Sequence, residues 1–166
     1  SALSAPGIFV RNIEIVPPDF DARFSAKSKC YTYLVADRAS LGVLTQKIAW
    51  QIDYAIDLSA IIFAAKLFVG KHDFSGFRAS DCNARTTTRT IELLEVTRLP
   101  NSLIEFRIVG DGFLKQMVRI IVGTLIAVGK GKFTAQECSD FLQGVPRTST
   151  GETAPAHGLT LEWVRY

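Results

Sequence analysis

Apolar and polar positions alternate in some stretches of this chain and recur at helical spacing in others. Residues 8–16, IFVRNIEIV, begin irregularly and then alternate at Ile13, Glu14 and Ile15. That predicts a strand, ended by Pro17-Pro18. CYTYLVA (30–36) predicts a second strand with Tyr31, Tyr33 and Val35 on one face. KIAWQI (47–52) predicts a short third strand. TIELLEVTR (90–98) and SLIEFRIV (102–109) flank Leu99-Pro100-Asn101, a hairpin pattern. LTLEWV (159–164) alternates Leu159, Leu161 and Trp163, and predicts a last strand.

Between these lie three helical patterns. Leu58, Ile61, Ile62, Ala65 and Phe68 share a face, with Asp57 or Ser59 as cap and Gly70 as stop. Phe113, Met117, Ile120, Ile121, Thr124, Leu125 and Val128 predict a longer helix over 113–128. Thr134 and Glu137 form a T-x-x-E capping box, opening a short helix that Gly144 ends. The order of strands, helix, hairpin, two helices and strand predicts an α+β fold: one mostly antiparallel sheet with helices packed on one face. No repeat or linker divides residues 1–166, which read as a single domain.

Composition narrows the class. Of 166 residues, 48% are hydrophobic and 21% charged, which suits a packed domain rather than a disordered chain. IIVGTLIAVG is too short to span a bilayer, and no signal-peptide pattern opens the chain. Cys30, Cys82 and Cys138 are odd in number and lack metal-ligand spacing, as expected of reduced thiols in the cytoplasm. The first residue is Ser1 rather than Met, so the chain is expected to be a domain of a longer protein. A net charge of +3 hints at an anionic partner.

Several residues could carry chemistry. Projected at about 100° per residue, the helix 113–128 is apolar except for a strip of Lys115, Gln116, Arg119 and Gly123. A guanidinium beside such a surface needs a carboxylate or phosphate, because burying it unpaired costs several kcal/mol. Gly123, one turn on, leaves room for a backbone or a ligand. Tyr31 and Tyr33 fit core packing, or stacking on a planar ligand such as a base. Basic residues bunch at Arg23, Lys27 and Lys29, at Arg78, Arg85 and Arg89, and at Lys130 and Lys132. Each group alone reads as a solvated face. Together, flanking aromatics, they suit a nucleic-acid groove. Asp111, between glycines, reads as a turn residue. His72 and His157 lack ligand spacing, so no metal site is expected. GKHDFSGFRASDC (70–82) reads as a loop whose Phe74 and Phe77 either pin it to the core, the favoured reading, or line a site.

Four stretches in this order and spacing, DARFSAKSKCYTY, GKHDFSGFRASDC, GDGFLKQMVRIIVGTL and TAPAHGLTLEWVRY, resemble the C-terminal half of the bacterial tRNA pseudouridine synthase A family. The resemblance runs from about Ile13 to Tyr166. It implies half of a two-domain synthase fold with a basic cleft between the domains. It implies a cytoplasmic homodimer that isomerises uridine to pseudouridine in the tRNA anticodon stem-loop, with no metal or cofactor. By the family's motifs, Tyr31 stacks on the target uracil, Arg119 pairs with the catalytic aspartate, and Leu159 packs near the base. Arg78 and Lys115 are expected to touch the RNA. His72 and Asp73 receive no role.

One departure stands out. The family's G-R-T-D-x-G-V-H-A motif, which bears the catalytic aspartate in the N-terminal domain, is absent from this chain. The chain alone is therefore expected to be inactive, with Arg119 facing solvent or borrowing a local acid. A non-catalytic RNA-binding module and a protein-interaction domain are the competing readings.

Overall fold

The structure, a computed structural model, describes residues 7–37, 45–100 and 102–166. The expectation drawn from Ser1, and the hairpin residue Asn101, lie outside the described residues. Nine elements follow in order: β1 (Ser28–Asp37), β2 (Trp50–Ile52), α1 (Leu58–Leu67), β3 (Gly70–Asp73), β4 (Thr88–Arg98), β5 (Leu103–Gly110), α2 (Met117–Gly129), α3 (Ala135–Phe141) and β6 (Leu159–Arg165). The sheet runs β2-β1-β5-β4-β3, with β6 also pairing with β1. β5 occupies one edge of β1 over its length. The other edge is shared: β6 pairs antiparallel with residues 28–33 and β2 pairs parallel with residues 35–37. The sheet is thus mixed through one short parallel pair, and otherwise antiparallel.

Alternation explains the two faces. Along β5, Ile104, Phe106 and Ile108 are fully buried, while Glu105 and Arg107 point to the other side and are half-buried. Tyr33 and Val35 of β1 join the buried set, and the helices cover that face. On the opposite face Thr32 donates its hydroxyl to Glu162 at 2.8 Å.

α2 is buried almost all round, as a helix apolar on every side must be. Gly129 sits so close to α1 that a Cβ there would lie 2.5 Å from Ile61 Cδ1. In α1, Ile61, Ala64 and Ala65 face inward, and Asp57 caps the start by accepting from the Ala60 N–H. Ile62, expected on the inner face, is exposed. The Thr134–Glu137 capping box of α3 is formed as the spacing predicts.

Three further expectations differ. Residues 8–16 form no strand; Ile13 and Ile15 are exposed and no described strand lies alongside to supply ladder partners. The start of α2 is at Met117 rather than Phe113, because Gln116 adopts φ +64°, the left-handed region that ends a helical run. Lys115 is therefore off the helix, and its helical neighbourhood with Arg119 does not exist. Residues 70–73, expected as loop, add a short edge strand to β4.

Candidate functional site

Phe74 and Phe77 decide how the 70–82 segment lies. Both are fully buried, and they stack edge-to-face on each other and, through Phe77, on Phe68. Asp73 accepts from the Ser75 N–H at 2.9 Å and so closes the turn between them. The Thr87 hydroxyl, with Ser75 and the Arg78 charge, holds its carboxyl below the usual carboxylate value. His72 places Nε2 3.1 Å from the Val69 carbonyl. The aromatics of this segment belong to the core, and its far end, from Asp81, reaches a cleft.

That cleft is an open groove of about 1070 Å³. Tyr31, Lys115, Arg119 and Leu159 all line it. Arg78 does not; it lies near Asp73 and Cys82 electrostatically instead. Arg23, Arg85 and Arg89 join the lining, and Asp81 is the one carboxylate among its described residues. The cleft is strongly cationic.

Each side chain has a cause for its place. Tyr31 projects from β1 and meets Phe113 edge-on at 5.2 Å. Burial pushes its phenol above the usual value, so it carries its proton at neutral pH. Tyr33, two residues on, is fully buried; its hydroxyl donates to the Pro155 carbonyl at 2.7 Å. The tyrosines thus divide: Tyr31 lines the cleft and Tyr33 holds a loop. Leu159 opens β6 directly opposite Tyr33. Lys115 reaches Asp81 at 2.5 Å, with both side chains exposed. The Lys115 hydrogen bond holds the Asp81 carboxyl low.

Arg119 lies in the first turn of α2, half-buried. It lines the open groove and, among the described residues, pairs with no acid, since no carboxylate bridges to it. Its Nε–H donates to the Ala154 carbonyl at 2.6 Å instead. A chain segment rather than a ligand fills the space beside Gly123, because the backbone of Glu152 passes there.

Asp111 accepts from the Thr90 N–H at 3.0 Å, as a turn residue does. Arg89 donates Nη1 to the carbonyls of Thr86 and Thr88, which holds it at the cleft wall. Cys82 is pushed up by burial, but the N–H groups of Ala84 and Lys115 and the charges of Arg78 and Arg89 outweigh that and lower it overall. Among the described residues, no three His, Cys, Asp or Glu side chains gather as a metal site would require. No described helix is long and apolar enough to cross a membrane.

Sequence reasoning missed Phe24. It is 80% exposed yet lines the cleft, on a turn closed by Asp21, which accepts from the N–H groups of Arg23 and Phe24. Its place within DARFSAKSKCYTY was the available signal.

A model of the tRNA pseudouridine synthase family matches residues 64–166. The tRNA pseudouridine synthase A of Acetivibrio thermocellus is 40% identical over 159 residues, 96% of this chain and 65% of its own length. That of Syntrophotalea carbinolica is 41% identical over 96% of this chain and 63% of its own length. That of Paramagnetospirillum magneticum is 42% identical over 92% of this chain and 59% of its own length. The chain thus spans about three fifths to two thirds of these relatives. The cationic cleft, its motif residues and these matches lead to one statement: the chain belongs to the tRNA pseudouridine synthase family.

Proposed function

We propose that this chain is the C-terminal half of a cytoplasmic tRNA pseudouridine synthase, acting on uridine in the anticodon stem-loop as part of a homodimer. The carrying observation is Arg119, held through Nε in a cationic cleft beside Tyr31 and Leu159, with no described carboxylate bridging to it. An aspartate supplied by an N-terminal domain would fill that place. It acts at the target nucleotide; the uracil detaches, rotates and rejoins through carbon. The target base must leave its stack to be reached.

The chain's own residues then divide the work. Arg119 orients the incoming carboxylate and keeps it ionised. Tyr31, protonated at neutral pH, offers a ring for the uracil and a hydroxyl that exchanges a proton. Leu159 packs against the base. Arg23, Arg85, Arg89 and Lys115 meet phosphates. Alone, the chain holds RNA without isomerising it.

The test is to incubate the chain with unmodified tRNA and assay for pseudouridine. No turnover is expected. Adding the aspartate-bearing domain on the same polypeptide is expected to restore it. Turnover by the chain alone, or none by the completed protein, would sink the reading.

A further inference from the structure

Arg119 is a long, flexible side chain asked to point one way. Left alone, such a chain populates many rotamers, and its guanidinium offers five donors in several directions. Here the direction is taken up by the segment that returns over α2. The Arg119 Nε–H donates to the Ala154 carbonyl at 2.6 Å, and the Ala154 N–H donates back to the Arg119 carbonyl at 3.1 Å. Side chain and backbone of one residue are thus both tied to Ala154, which is fully buried. Among the described residues no hydrogen bond or ion pair reaches its two Nη groups, which leaves them for an anion.

The place of that carbonyl is fixed from both sides. Upstream, the Gly151 N–H donates to Thr124 Oγ1 at 3.0 Å, and the Thr124 hydroxyl donates to the Ile120 carbonyl at 2.8 Å. Thr124 is fully buried on α2. Gly151 has no room for a side chain, since a Cβ would lie 2.5 Å from Thr124 Cα. Arg147 donates Nη1 to Thr150 at 3.1 Å and Nη2 to Thr153 at 3.0 Å. Downstream, Tyr33 donates to the Pro155 carbonyl at 2.7 Å. Residues 150, 151, 153 and 155 are all anchored, and Ala154 sits among them.

We propose that Gly151–Ala154 is a positioning strap for Arg119, locked to α2 by Thr124 and braced by Arg147. This rests on the reading that Arg119 meets the reacting carboxylate, and adds how its aim is set. Thr124, Arg147 and Ala154 act through Arg119 and touch no substrate themselves.

The experiment has two arms. In the isolated chain, hydrogen exchange of the Arg119 Nε–H is followed by NMR, its resonance assigned by loss in Arg119→Lys. Thr124→Val keeps the side chain's shape and removes its hydroxyl. It is expected to speed that exchange by roughly fivefold or more, the worth of about one hydrogen bond. Arg147→Lys, on the outer side of the strap and less of a risk to folding, shifts it the same way. Thr124→Ser keeps the hydroxyl and recovers slow exchange.

In the chain completed by the aspartate-bearing domain, Thr124→Val is expected to lower kcat with KM for tRNA unchanged, and Thr124→Ser to recover the loss. Unchanged Nε–H exchange in both Thr124→Val and Arg147→Lys would overturn the strap. So would a loss of rate that only tracks the folded fraction, or one carried by KM. Should the completed protein make no pseudouridine with Thr124 intact, the functional reading fails, while the exchange measurement still decides the strap.

Discussion

Gly123 of α2 and Glu152 of the returning segment approach so closely that any side chain at position 123 would overlap the Glu152 carbonyl oxygen. The obstacle is backbone, which cannot swing aside as a side-chain tip can. Gly123→Ala is expected to destabilise the chain by about 3 kcal/mol or more, the upper range for overpacking a core. Urea unfolding measures it. A midpoint close to that of the parent would show that residues 151–154 give way freely.

Lys115 and Asp81 form an exposed pair, which contributes little to folding. Lys115→Ala is therefore expected to leave stability within about 1 kcal/mol of the parent. Its effect is expected on RNA binding: the slope of log affinity against log salt should fall by about one for each lost phosphate contact. An unchanged slope for tRNA would remove Lys115 from the RNA path.

Phe24 is 80% exposed on a turn that Asp21 organises, so its ring contributes little to the core. Phe24→Ala is expected to weaken tRNA binding by about 1–3 kcal/mol, as loss of one stacked base does. Thermal unfolding is expected to be unaltered. If tRNA binding is unaltered and the completed protein is the one destabilised, the ring serves a protein contact instead.

Cys82 is the partly exposed thiol of three, since Cys30 and Cys138 are buried. Burial pushes the Cys138 thiol up to about 12, which keeps it neutral and unreactive. Iodoacetamide is expected to label Cys82 first, with a rate that reaches half its plateau below the ordinary thiol value of 9.0. Saturating tRNA is expected to slow the reaction, because Cys82 lines the cleft. Peptide mapping that finds Cys30 labelled first would contradict the packing of β1.

Asp73 ionises below its ordinary value of 3.8, chiefly through the Thr87 hydroxyl. Its folded pKa is thus lower than its unfolded one. The stability it contributes is complete above the unfolded value and lost as pH falls through the folded one. Asp73→Asn is expected to be less stable than the parent near neutral pH, and the gap to close as the pH falls below the ordinary value of 3.8 and through the folded one. Unfolding curves that stay equally far apart across that range would assign the effect to shape rather than charge.

Much of this architecture could be read from residue patterns. The strand of Tyr31 and Tyr33, the hairpin, the last strand and the capping box of α3 are local arrangements, set by alternation and by residues a few places apart. The patterns failed where a distant partner decides. The 8–16 alternation found no strand beside it. The apolar run from Phe113 looked helical throughout, yet Gln116 takes a left-handed turn that carries Lys115 toward Asp81.

The site shows the same division. Tyr31, Arg119 and Leu159 were identifiable because they stand in motifs, and the need of a guanidinium for an acceptor followed from its apolar neighbours. Periodicity could not say that this acceptor is the Ala154 carbonyl, 35 residues away. Nor could it separate Tyr31, in the cleft, from Tyr33, beneath the loop, since both share one face of one strand. The sequence by itself determined most of the elements and the chemical needs of their side chains, because propensity, capping and alternation act over a few residues. Tertiary structure alone decided which need meets which partner. Close approaches such as Gly123 on Glu152 and Gly151 on Thr124 bring distant backbone groups within hydrogen-bonding reach, and no spacing along the chain encodes that distance.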